Sequence, residues 1–398
     1  DMGLIREGNE RVLAARLADA KFFFDEDRKI RLEDRVKKLA GVTFHQKLGT
    51  MAQKQERLEK LVTIIAPLLN PGVEDYETIN QCRRAAKLCK ADLLTGVVGE
   101  FPELQGIMGG EYAAHDKESE SVSLAIGEQY LPRSIDGGLP RTVAGQVLSL
   151  ADRLDALAAF FHIGLVPTGS EDPFALRRHA TAIVRIILEG GHRLDLGECI
   201  RHARKIVIDD GFKGVAGTEK EGSRRIAEFI FERVRHYSKV VHALRDDVIE
   251  AVLKSAQNKP LDLVDLVQRM KALESVTAKP EFDPLIVGFK RAHRLVEKEQ
   301  WDRKSVDRER FEHPTESALY QAIAEERQKM ISAMTLGEYG QALDALVRLK
   351  PAIDAFFTAV MVNAKNPEVR SNRLSLLKEV DDFFNSFADF SQIVVQGS

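Results

Sequence analysis

The stretch that decides the fold reads Leu148-Ser149-Leu150-Ala151-Asp152-Arg153-Leu154-Asp155-Ala156-Leu157 and, after a short loop, Asp172-Pro173-Phe174-Ala175-Leu176-Arg177-Arg178. Residues three and four apart on a helix lie one above the other, so Leu148, Asp152, Asp155 and Ala159 share a face. The second segment carries a helix start. Asp172 serves as N-cap, Pro173 takes the first helical position, where no N–H is needed, and Gly190-Gly191 forms the stop. Leu176, Ala180, Ile183 and Ile187 predict a buried stripe with Arg177, Arg178 and Arg185 beside it. Two acids and three arginines are thus expected on neighbouring helices.

The helical period continues outward in both directions. Asn9 to Phe24 is apolar at Val12, Leu13, Leu17, Ala20, Phe23 and Phe24; Gln46 to Leu69 is apolar at Met51, Leu58, Leu61, Val62, Ile65 and Leu69. Long alternating runs are missing, so no sheet is expected and the fold class is all-α. Pro and Gly clusters such as Asn70-Pro71-Gly72, Asp136-Gly137-Gly138-Leu139-Pro140 and Pro167-Thr168-Gly169-Ser170 fall between helices. The loop Gly211 to Gly222 lacks P-loop spacing and reads as a surface connection. The basic run Lys290 to Arg310, which holds Trp301, reads as a solvated helix face or linker.

Beyond it, Glu316 to Met334, Tyr339 to Leu349, a segment opened by Pro351 and a last one from about Glu368 predict four antiparallel helices. At the mouth of that bundle Lys365, Arg370 and Arg373 are basic against Glu368. Asn372 adds a donor and acceptor pair suited to a base edge.

With 398 residues, two or three domains are the expectation. The 58 Lys and Arg stand against 61 Asp and Glu, so any nucleic-acid contact must come from local patches. Cys82, Cys89 and Cys199 are odd in number and unpatterned, which suits a reducing cytoplasm. No apolar run reaches the roughly 18 to 20 residues that span a bilayer, so no membrane partner is expected. The chain opens already in register with an amphipathic segment, and a fragment lacking upstream domains is the expectation.

Zinc-type Cys and His spacing is missing. His162-Ile163-Gly164-Leu165 matches a nucleotide-binding signature only in letters, because its neighbourhood is helical and that signature must follow a strand. One constellation remains. His45, Asp92 and Asp152 resemble positions of the HD phosphohydrolase superfamily, whose metal site needs a His-Asp doublet. Ala91 stands where the doublet's histidine belongs. Without that imidazole the first shell is too poor to activate water, so the reading is a vestigial site, with Asp152 paired to Arg153 or another base and no metal.

A set of segments in order along the chain is more specific. Arg6-Glu7-Gly8-Asn9-Glu10-Arg11, Phe44-His45-Gln46-Lys47-Leu48-Gly49-Thr50, Lys90-Ala91-Asp92-Leu93-Leu94, Glu128-Gln129-Tyr130-Leu131-Pro132-Arg133, Asp172 to Arg178 and Asn372-Arg373-Leu374 resemble the β subunit of bacterial heterotetrameric glycyl-tRNA synthetase. The resemblance implies a C-terminal fragment with three parts. They are a degenerate HD-like helical domain at 1–170, a helical connecting region at 171–285, and an anticodon-binding helical bundle at 286–398 similar to that of arginyl-tRNA synthetase.

It also implies a cytoplasmic, non-catalytic chain that binds tRNA(Gly) and not DNA, with no cofactor of its own. ATP and Mg belong to the α subunit, a partner together with the missing N-terminal domains. Lys365, Arg370, Asn372 and Arg373 are expected to face the anticodon arm, where splayed bases offer their edges. Arg177, Arg178 and Arg185 either touch tRNA or a neighbouring domain, or close a buried ion pair with Asp152 or Asp155.

Overall fold

The computed structural model describes residues 2–69, 76–256, 260–280, 282–299, 301 and 305–395. The expected turn Asn70-Pro71-Gly72 and the basic residues Arg303 and Lys304 lie outside these. The chain divides into two compact units, Asp1–Val234 and Arg235–Ser398.

The first unit holds α1 (Met2–Asp27), α2 (Leu32–Val36), β1 (Thr43–His45), β2 (Gly49–Thr50), α3 (Met51–Leu69), α4 (Tyr76–Leu88), α5 (Gly96–Glu100), α6 (Ile107–His115), α7 (Glu120–Glu128), α8 (Val143–His162), α9 (Leu176–Gly190) and α10 (Leu196–Asp209). Helix α11 (Glu219–His242) carries the boundary between the units.

The stretch read first is the centre of this unit. Residues Ala144 to Phe161 of α8 are almost all buried, and α3, α4, α7, α9 and α10 pack around it. A helix that is apolar on every side can only be a central one. The side chain of Thr142 caps its start by accepting from Gly145 N. Because α9 and α10 lie directly on α8, the connecting region expected from residue 171 belongs to the first unit as far as Val234. The stripe Leu176, Ala180, Ile183 and Ile187 is buried as its spacing predicts, and Gly191 ends α9 in the left-handed conformation that glycine adopts freely.

Three expectations need correction here. Helix α9 starts at Leu176, with Ala175 left-handed, and not at Pro173. Phe174 stacks on Phe160 at 4.2 Å, which draws residues 172–175 into a turn; the Asp172 carboxylate still accepts the first free N–H groups, from Leu176 at 2.8 Å and Arg177 at 2.9 Å. A small antiparallel hairpin, β1 with β2, also exists where no sheet was expected. Helix α1 forms, yet Val12 and Leu17 of its predicted apolar face are 62% and 68% exposed.

The second unit adds α12 (Asp246–Ser255), α13 (Leu263–Thr277), α14 (Phe282–Lys298), α15 (Pro314–Thr335), α16 (Tyr339–Arg348), α17 (Lys350–Ala359) and α18 (Pro367–Phe387). Its core gathers Phe289, Phe383, Phe384, Phe387 and Phe390, with α18 packed on α14 and α15. The four C-terminal helices form where they are expected, and α14 packs on α17 and α18. The start of α15 is held by a capping box in which His313 accepts from the backbone and Glu316 reaches back to His313 N.

Candidate nucleic-acid interface

Asp152 and Asp155 project from α8 into a buried ionic network. Lys54 Nζ lies 2.9 Å from Asp152 Oδ1 and 2.8 Å from Asp155 Oδ2; Arg57 bonds Asp155 at 2.5 Å and Asp210 at 3.0 Å; Lys90 Nζ lies 3.2 Å from Asp152. Asp152 Oδ1 meets its lysines as charge against charge, outside hydrogen-bond angles. Three cations thus face three anions. Burial pushes the Asp152 carboxyl up, but the Lys54 and Lys90 ammoniums outweigh it and hold the group far below the usual carboxylate range.

Arg153 is not Asp152's partner. Its guanidinium donates to the carbonyls of Gln129, Tyr130 and Pro132 and to Ser149 Oγ, fixing that turn against α8. Asp92 is buried and accepts from Gly106 N at 2.6 Å; burial raises its pKa, with the Lys90 charge only partly offsetting. The ring of His45 packs against Phe160 and Phe174. Among the described residues no group of three or more His, Cys, Asp or Glu side chains is placed to hold a metal ion.

His179 on α9 lies within reach of the Asp152 charge, and burial pushes its imidazole down to about 4 from 6.5 despite that carboxylate. Between those values the unfolded chain binds the extra proton, so stability rises with pH and is lost on acidification. We expect a loss of up to about 3 kcal/mol from this residue across the window, absent in His179→Gln, when urea midpoints at about pH 7 and about pH 4.5 are compared. Asp92 titrates with the opposite sign, stability falling as pH rises above its unfolded value, and it is common to both proteins. Equal acid sensitivity in the two would count against the assignment.

The arginines of α9 divide. Arg185 is buried; it pairs with Glu189 at 2.6 Å and donates to the carbonyls of Ser134 and Gly137, so it is not paired with Asp152 or Asp155 and is not displayed on the surface. Arg177 donates to Gly169 O at 2.6 Å, and Arg178 is exposed.

In the second unit the residues expected at the bundle mouth divide likewise. Lys365 is exposed. Arg370 pairs with Glu299 at 2.7 Å and bonds Asn363 at 3.3 Å. Asn372 faces inward: its amide donates to Asp307 O and accepts from Asp307 N, both at 2.8 Å, and pins that backbone. Arg373 is buried as well, donating to Glu316 Oε1 at 2.8 Å, Glu312 at 3.0 Å and Met361 O at 3.1 Å. Both reach partners within the bundle because their positions on α18 share a face with Leu376 and Val380, which are core residues.

A groove of about 660 Å³ lies between α14 and the segment after α17. Lys290, Arg291 and Arg294 line one side and Val360 to Asn363 the other, with no acid among the lining residues. The Arg291 guanidinium sits 4.3 Å over the Phe357 ring. Arg294 is exposed and has no ion pair among the described residues. Met361 is 77% exposed, and Val287 beside it is also exposed. The sequence shows the i, i+1, i+4 cations on α14, but not that Val360 to Asn363 returns to face them.

Comparison with known proteins places this geometry. Residues 1–254 match the model of the family described as glycyl-tRNA synthetase beta subunit, and residues 285–390 match the DALR anticodon binding domain. The chain is 42% identical over 393 residues to the glycine--tRNA ligase beta subunit of Geobacter sp. (strain M21), 99% of this chain and 55% of that protein. It is 41% identical over 389 residues to the one of Ralstonia nicotianae, covering 98% and 54%. The chain spans about half the length of the curated relatives it matches. A family match over more than half the chain, on a frame that is helical but for one small hairpin, identifies it: the chain belongs to the glycyl-tRNA synthetase beta subunit family.

Proposed function

We propose that this chain is the non-catalytic, tRNA-binding part of a glycine–tRNA ligase β subunit. It takes tRNA(Gly), including the anticodon arm, while a separate α subunit activates glycine with ATP and Mg. The observation that carries the reading is the acid-free groove of Lys290, Arg291 and Arg294, inside the segment matched to an anticodon-binding domain. The cations suit backbone phosphates, and the Asn363 amide with the exposed Met361 side chain suits unstacked bases.

Exposed Lys365 extends the cationic rim, and Arg178 is a second-tier candidate on the first unit. On this reading His45, Asp92 and Asp152 are remnants of an HD-type frame, with lysine ammoniums in place of a metal. The α subunit and domains upstream of this chain are its partners in the cytoplasm.

Arg291→Glu with Arg294→Glu is expected to weaken tRNA(Gly) binding tenfold or more at low salt and to reduce the slope of log affinity against log salt by about 1 to 2. Filter binding measures both, with urea unfolding as control. Unchanged affinity in a folded double variant would remove the groove from the interface.

A further inference from the structure

The loop Gly211 to Thr218, a plain surface connection by its sequence, folds over the C-terminal end of α8 and leads into α11. Val215 N donates to His162 O at 2.8 Å, and His162 Nε2 donates to Phe212 O at 2.9 Å. Beneath the loop is a recess of about 40 Å³, lined among others by His162, Arg204, Thr218, Gly222 and Arg225. That exceeds the roughly 10 to 15 Å³ of such space that seats one water.

Arg204, from α10, is only 7% exposed and has no hydrogen bond or ion pair among the described residues; its Nε is sealed from solvent without a partner. Buried charges in folded proteins are nearly always paired, and Arg204 feels only the longer-range pull of Glu219, beyond ion-pair distance and opposed by the neighbouring Arg225, so its guanidinium has room for an anion. It is aimed at the first turn of α11: a Cβ at Gly222 would lie 2.1 Å from the guanidinium carbon. Helix α11 runs for 24 residues, and its first N–H groups have no helical partner. Among the described residues Glu221 N is taken by Thr218 Oγ at 3.2 Å and Gly222 N closes the first helical bond to Thr218 O at 3.1 Å, which leaves the N–H groups before them. A buried unpaired cation and a long helix's positive end therefore converge on one recess.

We propose that this recess is a phosphate site, the phosphate group seated on the first turn of α11 between Arg204 and Arg225. Glu221 lines the same recess and Glu219 opens the same turn, so the site is weak for a lone ion and suited to one phosphate of a polyanion held elsewhere too. The ligand is a phosphate oxyanion, either an RNA backbone phosphodiester or free phosphate. The first source rests on the function proposed above; the site itself does not.

The test uses the whole 398-residue chain. Inorganic phosphate is titrated against chloride at matched ionic strength, with thermal unfolding and calorimetry as readouts. Saturable binding in the millimolar range is expected, weakened roughly tenfold or more by Arg204→Met and by the surface change Arg225→Gln, and tightened by Glu221→Gln. Arg204→Met should also raise the melting temperature of the phosphate-free protein, because it removes an unpaired buried charge; a purely structural arginine would lower it. No saturable phosphate effect, or one untouched by both arginine changes, overturns the proposal. Given binding, competition by tRNA(Gly) identifies the backbone as the source, and its absence identifies free phosphate. Loss of the phosphate effect with tRNA binding through the groove intact would sink this site and leave the proposed function standing.

Discussion

Asp155→Asn is expected to destabilise the first unit by about 3 to 5 kcal/mol, as removal of one member of a buried ion network does. The amide keeps the shape but leaves Arg57 and Lys54 facing a neutral group in a site where their side chains are nearly sealed from water. The measurement is urea unfolding of the variant beside the parent. The paired change Arg57→Met with Asp155→Leu should recover part of the loss, since it removes one cation with one anion and leaves Lys54 and Lys90 on Asp152, while Asp210, which loses Arg57, is partly open to water. If Asp155→Asn unfolds at the parent's midpoint, the network is not closed in solution.

Arg373→Glu should have a comparable effect on the second unit, about 3 to 5 kcal/mol, by setting a third carboxylate against Glu316 and Glu312. Its tRNA binding would fall as well, and the cause has to be separated. Glu316→Gln leaves every candidate RNA-facing cation in place yet weakens the buried partner of Arg373 and the capping box at the start of α15. A parallel loss of stability and RNA affinity in both variants is the expected outcome. An Arg373→Glu protein of unchanged stability whose affinity drops with a flatter salt dependence would return Arg373 to the RNA-facing set.

The helices were legible because apolar residues recur at three and four; the central place of α8 shows only in the fold, where α3, α4, α7, α9 and α10 pack around it. The partners of its acids were less visible. Lys54 and Arg57 lie at core spacing with Met51, Leu58 and Leu61 on α3; reading that stripe for its apolar members passes over two cations on the same inward face. Asn372 and Arg373 follow the same logic: on α18 they share a face with Leu376 and Val380, and both turn to partners inside the bundle. The start of α9 escaped because the stacking of Phe174 on Phe160 is a contact across the fold, and no local pattern encodes it. Strands of three and two residues are too short to show alternation. The groove lined by Lys290, Arg291 and Arg294 and the recess under Gly211 to Thr218 join segments far apart in the chain, so only the fold brings them together.

The ionic core around α8 has a further consequence. A structural metal stabilises a fold by mass action, so its contribution follows the free ion concentration. The ammoniums of Lys54 and Lys90 are tethered to the same chain as the carboxylates they neutralise and are sealed from solvent. This part of the fold therefore carries its own counter-ions, which dilution cannot remove and mobile salt screens little.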